Sequence, residues 1–233
     1  MANQVHDTAV VGPGVELGDG NVVGPYAVLT GPLRIGDRNW IGAHVVIGAP
    51  PEISGHPHGL PWGGLPVGLG VEIADDAVLR EFTTVHSGSA RPTRVGHRVF
   101  LMNKTYVGHD GDLGDDVTLA AGVQLGGHVS VGGGANLGIG TVVHQRRIIG
   151  PGAMVGMGSV VTRDVPPCAK AFGSPARVRG VNEVGMGRRG IAVEDIAAVA
   201  AHYRDGAPAT GEWTPPEALR PAWEWWLART SAG

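Results

Sequence analysis

Four of the ten histidines in this 233-residue chain, His86, His109, His128 and His144, return at nearly the same point of an 18-residue unit once a four-residue insertion is allowed for. In a stack of parallel strands, neighbouring coils lie about 4.8 Å apart. The four imidazoles are therefore expected to form a column along one edge of the stack. Imidazole titrates near neutrality, which suits it to take a proton from a weak nucleophile. It is also a common metal ligand, but the ligand spacings HxxH and HExxH are absent. A row of solvated surface histidines is the remaining alternative.

The unit that aligns the histidines comes from a second regularity. An aliphatic residue recurs every six positions at Val5, Val11, Leu17, Val23, Leu29, Ile35, Ile41 and Ile47, again at Ile73, Leu79 and Val85, and without a break from Val95 to Val161. Neither an α-helix nor an amphipathic strand has period six. A short strand followed by a tight corner does, and three such steps close one triangular coil. The aliphatic side chain points into the prism, and a small or β-branched residue often stands four places on (Ala9, Val15, Ala27, Val45). Gly often follows the aliphatic residue directly (Gly12, Gly18, Gly24, Gly36, Gly42). Gly and Asn are expected to serve corners that need unusual backbone angles. The fold class is thus mainly β, a hexapeptide-repeat solenoid. The four histidines fall one to three places after an inward residue, so they point outward.

The composition fits this reading. Apolar residues make up 42% and aromatic ones only 5%, because a narrow prism takes Val, Ile and Leu more easily than rings. A net charge of −3 offers no electrostatic case for binding nucleic acid or an anionic membrane. The single Cys168 rules out an intrachain disulfide and reads as a packed thiol. The first residues lack the pattern of a signal peptide, and no run approaches the roughly 18 apolar residues of a membrane span. The expectation is a cytoplasmic protein.

Three segments leave the register. Residues 49–72, rich in Pro and Gly and carrying His56, His58 and Trp62, form a long loop of the kind that is often functional. A four-residue insertion lies near Ser87–Thr93, since Val85 and Val95 are ten steps apart. The repeat stops at Asp164–Pro167, giving a solenoid over 1–178 and a C-terminal helical cap over 179–233. Within the cap, 193–204 place Ile196, Val199, Ala200 and Tyr203 on one helical face. A second helix is expected from Pro215–Pro216, carrying Leu219, Ala222, Trp223, Trp226 and Leu227, with Pro221 awkward in its first turn. Three Trp in four residues suggest either a membrane or ligand box or, more plainly, packing of the cap. A solenoid end exposes strand edges and needs such a cover.

Around the histidine column the stretches LMNKTYVGHDGDLGDD (101–116), LGGHVSVGGGANLGIGTVVHQRRIIGPGAMVG (125–156) and VTRDVPP (161–167) resemble the UDP-N-acetylglucosamine O-acyltransferases that begin lipid A synthesis. So do VHDTAVV (5–11), TVHSG (84–88), parts of VNEVGMGRRG (181–190) and LART (227–230). The resemblance implies a homotrimer of left-handed parallel β-helices, against the usual right-handed crossover preference, with active sites in the clefts between subunits. It implies His109 as general base, Asp110 as the carboxylate that orients it, and Gly127 as the residue whose main-chain N–H polarises the thioester carbonyl. His86, His128 and His144 match residues lining the same cleft. Gln145 matches a contact to the acceptor sugar, and Arg188 and Arg189 match a pair near the nucleotide phosphates.

The chain departs from the family at several points. Where the family holds its sugar with an Asp and a Lys in the first long loop, this chain has Ile53 and Gly55. Tyr106 replaces a further cleft histidine, Val184 replaces a Glu near the uracil, and Arg146 and Arg147 replace apolar residues beside the cleft. Met157 falls where members that take long acyl chains carry Gly, which implies a short or medium chain. The leading expectation is an acyltransferase moving an acyl group from a thioester of coenzyme A or acyl carrier protein to a hydroxyl or amine of a small polar acceptor, such as a sugar or nucleoside. It uses no metal and no cofactor beyond the donor. The alternatives are lipid A acylation itself, a metal-dependent hydratase, and a non-catalytic binding solenoid.

Overall fold

The computed structural model describes residues 1–58, 68–204 and 213–231; Trp62 lies outside them. The chain winds into a left-handed parallel β-helix whose three faces are sheets of ten, eight and seven strands among the described residues. The first face runs from Gln4–Val5 through Val22–Val23 and Trp40–Ile41 to Met154–Val155, the second from Val10–Val11 to Val160–Val161, and the third from Val15–Leu17 to Ile148–Ile149. Strands pair with the strand one coil on, as Val107 does with Leu125 and Leu125 with Val143.

Every hexad residue from Val23 to Val161 is buried, none more than 4% exposed. Burying such a side chain contributes about 1.5–3 kcal/mol each, so the column of aliphatics is the main source of stability. Only the first coil differs: Val5 and Val11 are 40% and 43% exposed, because that coil has a neighbour on one side alone among the described residues. The position four places on fills the rest of the prism, with Ala27, Val45, Thr83, Val99 and Val117 all buried.

The corners bear out the expectation in part: glycine takes the left-handed angle at the third residue after the aliphatic, as at Gly14, Gly20, Gly122 and Gly140. The glycine after the aliphatic residue does not carry the unusual angle. At Gly24 a Cβ would lie 3.0–3.1 Å from the main chain of the next coil at Ile41, Gly42 and Ala43, so the residue is small because the coils stack closely. That angle falls on the third residue after the aliphatic, where among the described residues twelve non-glycine residues adopt it as well, including Tyr26, Arg38, Lys104, Asp110, Asp116 and His128. Asn21 and Asn39 are not corner residues either. They lie buried inside the prism, where Asn21 Oδ1 accepts from the Asn39 N–H (2.8 Å) and Asn39 Oδ1 from the Ala77 N–H (2.8 Å), tying consecutive coils together.

The solenoid closes with an antiparallel turn. Strand Ala169–Gly173 continues the first face, and Ala176–Val181 runs back against it, so the expected boundary at residue 178 falls inside a strand. Among the described residues three helices follow: α1 (Glu183–Arg188), capped by the Asn182 side chain, α2 (Val193–Arg204) and α3 (Arg220–Thr230). A single 3-10 turn at Glu217–Leu219 precedes α3 and places Pro221 in its first turn, where the missing N–H is not needed. Val199, Leu219 and Trp223 pack with Cys168, Val181 and Met186, flanked by Ile196, Ala200 and Tyr203. The tryptophans Trp223 and Trp226 are thus buried packing residues. Burial pushes the Cys168 thiol up to about 11, which makes it a poor nucleophile. No helix among the described residues is long and apolar enough to cross a membrane.

Candidate functional site

Both insertions leave the solenoid at one corner, where the second face turns into the third. The long loop departs after Val46–Ala49 and rejoins at Val71–Ile73; the short one departs after Thr84–His86 and rejoins at Thr93–Val95. His86 ends the second-face strand Thr84–His86, and His109, His128 and His144 follow the second-face strands Tyr106–Val107, Gln124–Leu125 and Val142–Val143, so all four stand on this corner. His86, His109 and His128 are half-buried, whereas His144 is exposed.

At the centre of the corner is a carboxylate–imidazole pair. Asp110 Oδ2 lies 2.6 Å from His109 Nδ1, and the Asp110 side chain has no solvent exposure. The short insertion encloses that carboxylate. The N–H groups of Ser89, Ala90 and Arg91 reach Oδ1 at 3.1, 2.7 and 2.8 Å, and the Ser89 hydroxyl donates to Oδ2 at 2.6 Å. The Arg91 guanidinium donates to the Asp110 main-chain oxygen at 2.9 Å. Burial alone would raise the Asp110 pKa, but the hydrogen bonds from Ser89, His109, Ala90 and Arg91 outweigh it and hold the carboxyl well below its ordinary range. An ionised carboxylate only accepts, so the neutral tautomer that this contact selects carries its proton on Nδ1 and its free lone pair on Nε2. That is the state a general base requires.

Gly127 lies against the free side of the ring: a Cβ there would be 2.4 Å from His109 Nε2. Only glycine allows the main chain to come this close. The His128 ring stands edge-on to His109, centroids 5.0 Å apart. Burial, with Arg146, His109 and Arg91 nearby, lowers the His128 pKa despite the Asp110 charge, so His128 favours its neutral form. His109, Asp110 and His128 bring ligand atoms within 4.8 Å of one another, close enough for a cation. The fit is poor, because both Asp110 oxygens are already committed to five donors. A metal would have to displace the ring proton and the serine hydroxyl.

One coil earlier, His86 Nδ1 lies 2.8 Å from Glu52 and 2.9 Å from the Pro50 main-chain oxygen. Burial opposes the charged form of His86, but Glu52 and Pro50 together raise its pKa. The start of the long loop is therefore fastened to the histidine corner. The His86 ring is tilted against Tyr106 (5.2 Å), and Tyr106 shares an open groove with Gly126, His144 and Gln145.

A single chain does not bring every expected residue here. Met157, 75% exposed, follows first-face strand Met154–Val155 and so stands on the corner between the first and second faces. Arg188 ends α1, and Arg189 donates to the Gly134 carbonyl at the third corner. Of the basic pair beside the column, Arg147 is bound to Asp164 (3.3 Å) while Arg146 is exposed. Sequence reasoning missed the roles of Ser89, Ala90, Arg91 and Glu52. The ten-step gap between Val85 and Val95 marked the place of the first three, but a main-chain N–H has no signature in residue type.

Comparison with known proteins bears on this corner. A family model described as UDP N-acetylglucosamine O-acyltransferase, domain 2, matches residues 164–206. The acyl-acyl-carrier-protein–UDP-N-acetylglucosamine O-acyltransferase of Thiobacillus denitrificans is 39% identical over 215 residues, covering 86% of this chain and 83% of that protein. The protein of the same name from Paraburkholderia xenovorans is 39% identical over 217 residues, with 87% and 82% covered. Among solved structures, the UDP-N-acetylglucosamine acyltransferase of Campylobacter jejuni superposes with a TM-score of 0.71 at 25% identity, covering 87% of this chain and 82% of that one.

Proposed function

Because the chain belongs to the UDP-N-acetylglucosamine O-acyltransferase family and is a hexapeptide-repeat acyltransferase, we propose that it moves an acyl group from an acyl carrier protein thioester to a hydroxyl of UDP-N-acetylglucosamine, with His109 as the base. The relatives act on this acceptor by name, so the alternative raised from the sequence replaces the broader expectation of an unspecified small polar acceptor. The observation that carries the chemistry is the buried Asp110 carboxylate 2.6 Å from His109 Nδ1.

His109 Nε2 removes the hydroxyl proton as the oxygen attacks the thioester carbonyl. Asp110 holds the ring in the required tautomer and stabilises the imidazolium that forms. The Gly127 N–H receives the developing oxyanion, and loss of one such donor typically costs about 3–4 kcal/mol. The oxyanion then collapses, the C–S bond breaks, and the leaving thiolate takes the proton from the His109 imidazolium; a thiolate needs no stronger acid, so the step as proposed needs no metal and no cofactor other than the donor. His86, Tyr106, His128, His144 and Gln145 line the acceptor side. Glu52, held by His86, offers a carboxylate where Ile53 and Gly55 supply no polar side chain.

The separation of Met157, Arg188 and Arg189 from the histidine corner supports a homotrimer, in which the corners of neighbouring copies meet and complete the site. Met157 then limits the acyl chain. The test is to incubate the purified protein with acyl-carrier-protein and acyl-coenzyme A thioesters of graded length and UDP-N-acetylglucosamine, following thiol release and the mass of the nucleotide sugar. Acylated UDP-N-acetylglucosamine, lost in His109→Ala and formed from longer donors by Met157→Gly, is the expected result. Absence of that product with every donor would refute the reading.

A further inference from the structure

The four-residue insertion is the one irregularity of the hexad register that the reaction above does not use, yet its donors go to Asp110. They fall into two sets that act on different oxygens and do different things. The Ala90 and Arg91 N–H groups bind Oδ1 at 2.7 and 2.8 Å, the oxygen that His109 does not touch, and so fix the plane of the carboxylate. The Ser89 hydroxyl binds Oδ2 at 2.6 Å, the same atom that takes the His109 Nδ1–H at 2.6 Å. Hydroxyl and imidazole therefore share one oxygen, which the Ser89 N–H (3.2 Å) and His128 Nε2 (3.6 Å) approach from farther away.

We propose that Ser89 is a positioning residue that restrains the basicity of His109 by sharing the carboxylate oxygen the imidazole uses. The inference rests on His109 acting as the base. A carboxylate oxygen stabilises an imidazolium through the charge density it offers, and each further donor on that oxygen withdraws some of it. With the hydroxyl in place, the ring gives up its Nε2 proton at lower pH and is ready to accept one from the acceptor hydroxyl over a wider range. Ser89 is suited to a clean test because its own N–H, which also reaches the carboxylate (3.1 Å to Oδ1), remains when the hydroxyl is removed.

The other groups facing His109 stay constant in such a test. Asp110 remains on the Nδ1 side, and Arg91 remains on the Asp110 main-chain oxygen. The His128 ring lies edge-on at 5.0 Å, with Arg146 near His128, and the Gly127 main chain borders Nε2. None of these contacts involves the Ser89 hydroxyl.

The experiment is an NMR titration of the His109 ring in the full-length protein, assigned by the signal lost in His109→Ala, for wild type, Ser89→Ala and Ser89→Thr. Removing the hydroxyl is expected to raise the titration midpoint by about 0.5–1 unit, and Thr, which keeps a hydroxyl, is expected to restore it. The acidic limb of the kcat/KM profile should move by the same amount while the plateau above it changes less than about threefold. A midpoint that stays put or falls in Ser89→Ala overturns the proposal, as does a Thr variant that behaves like Ala. Should Ser89→Ala not fold, Ser89→Cys, with its weak donor, is expected to give a smaller rise, and no rise overturns the idea. The titration needs no substrate. A midpoint that moves in a protein without acyl-transfer activity supports the Ser89 assignment and removes His109 from the role of catalytic base.

Discussion

Asp110 and Asp116 occupy successive corners of the same coil, each three residues after an inward aliphatic and each in the left-handed conformation, φ 60° and 59°. Their surroundings are opposite. Asp116 is 56% exposed and pairs with Arg98 at 2.7 and 2.8 Å, an ion pair in open solvent that contributes little. Asp110 is sealed from solvent and holds five donors, four of them from an insertion that the other corner lacks. Residue type and backbone angle are the same at both. What turns one aspartate into part of a reactive pair is the loop built around it.

The largest expected separation between the two corners is in activity. Asp110→Ala should lower kcat by about 10²–10⁴ and destabilise the fold by about 3 kcal/mol, since it leaves buried donors unpaired. Asp116→Ala should leave both within error; an equal loss in the two variants would erase the distinction. Deleting residues 89–92 restores the six-step spacing between Val85 and Val95 and makes the two corners alike. That chain is expected to keep the circular dichroism of the solenoid and to lose at least about 100-fold in kcat.

Acid should separate the corners next. Hydrogen bonding holds the folded Asp110 carboxyl below its unfolded value of about 3.9. Its contribution is therefore complete above that pH and disappears as the pH falls toward the folded value. Urea midpoints measured from pH 6 down to 2.5 should fall more steeply in wild type than in Asp110→Ala, with Asp116→Ala close to wild type. The smallest effect belongs to Glu52. Its partner His86 has a raised pKa, so the pair stabilises below about pH 6.5 and is lost as the pH rises through the folded value. Glu52→Gln should cost less than about 1 kcal/mol at pH 5, the carboxylate being 36% exposed, and nothing at pH 9.

Much of this architecture can be read from residue identity. The buried column from Val23 to Val161 is visible as a period of six because each inward position demands an aliphatic. The helix at Val193–Arg204 is visible because one face must cover Cys168 and Trp223. The histidine corner also follows from counting. Its cradle does not, because the groups that bind Oδ1 are main-chain N–H groups that any residue could supply. Glycine is only partly legible for a related reason: Gly24, small because the coils stack closely, looks the same in sequence as Gly122, which takes a left-handed turn. Met157 and Arg189 enter through resemblance to a cleft between subunits, and in the single chain each stands at a corner other than that of the histidines.

The left-handed corner residues have a further consequence for engineering. Each of the twelve non-glycine side chains held at positive φ costs about 1 kcal/mol relative to glycine. Together they approach the whole net stability of an ordinary domain. The solenoid therefore carries a distributed reserve of strain, most of it far from the reactive pair. Exposed corner positions such as Lys104 are where a thermostable version of this chain could be obtained by glycine substitution, one coil at a time, leaving its chemistry untouched.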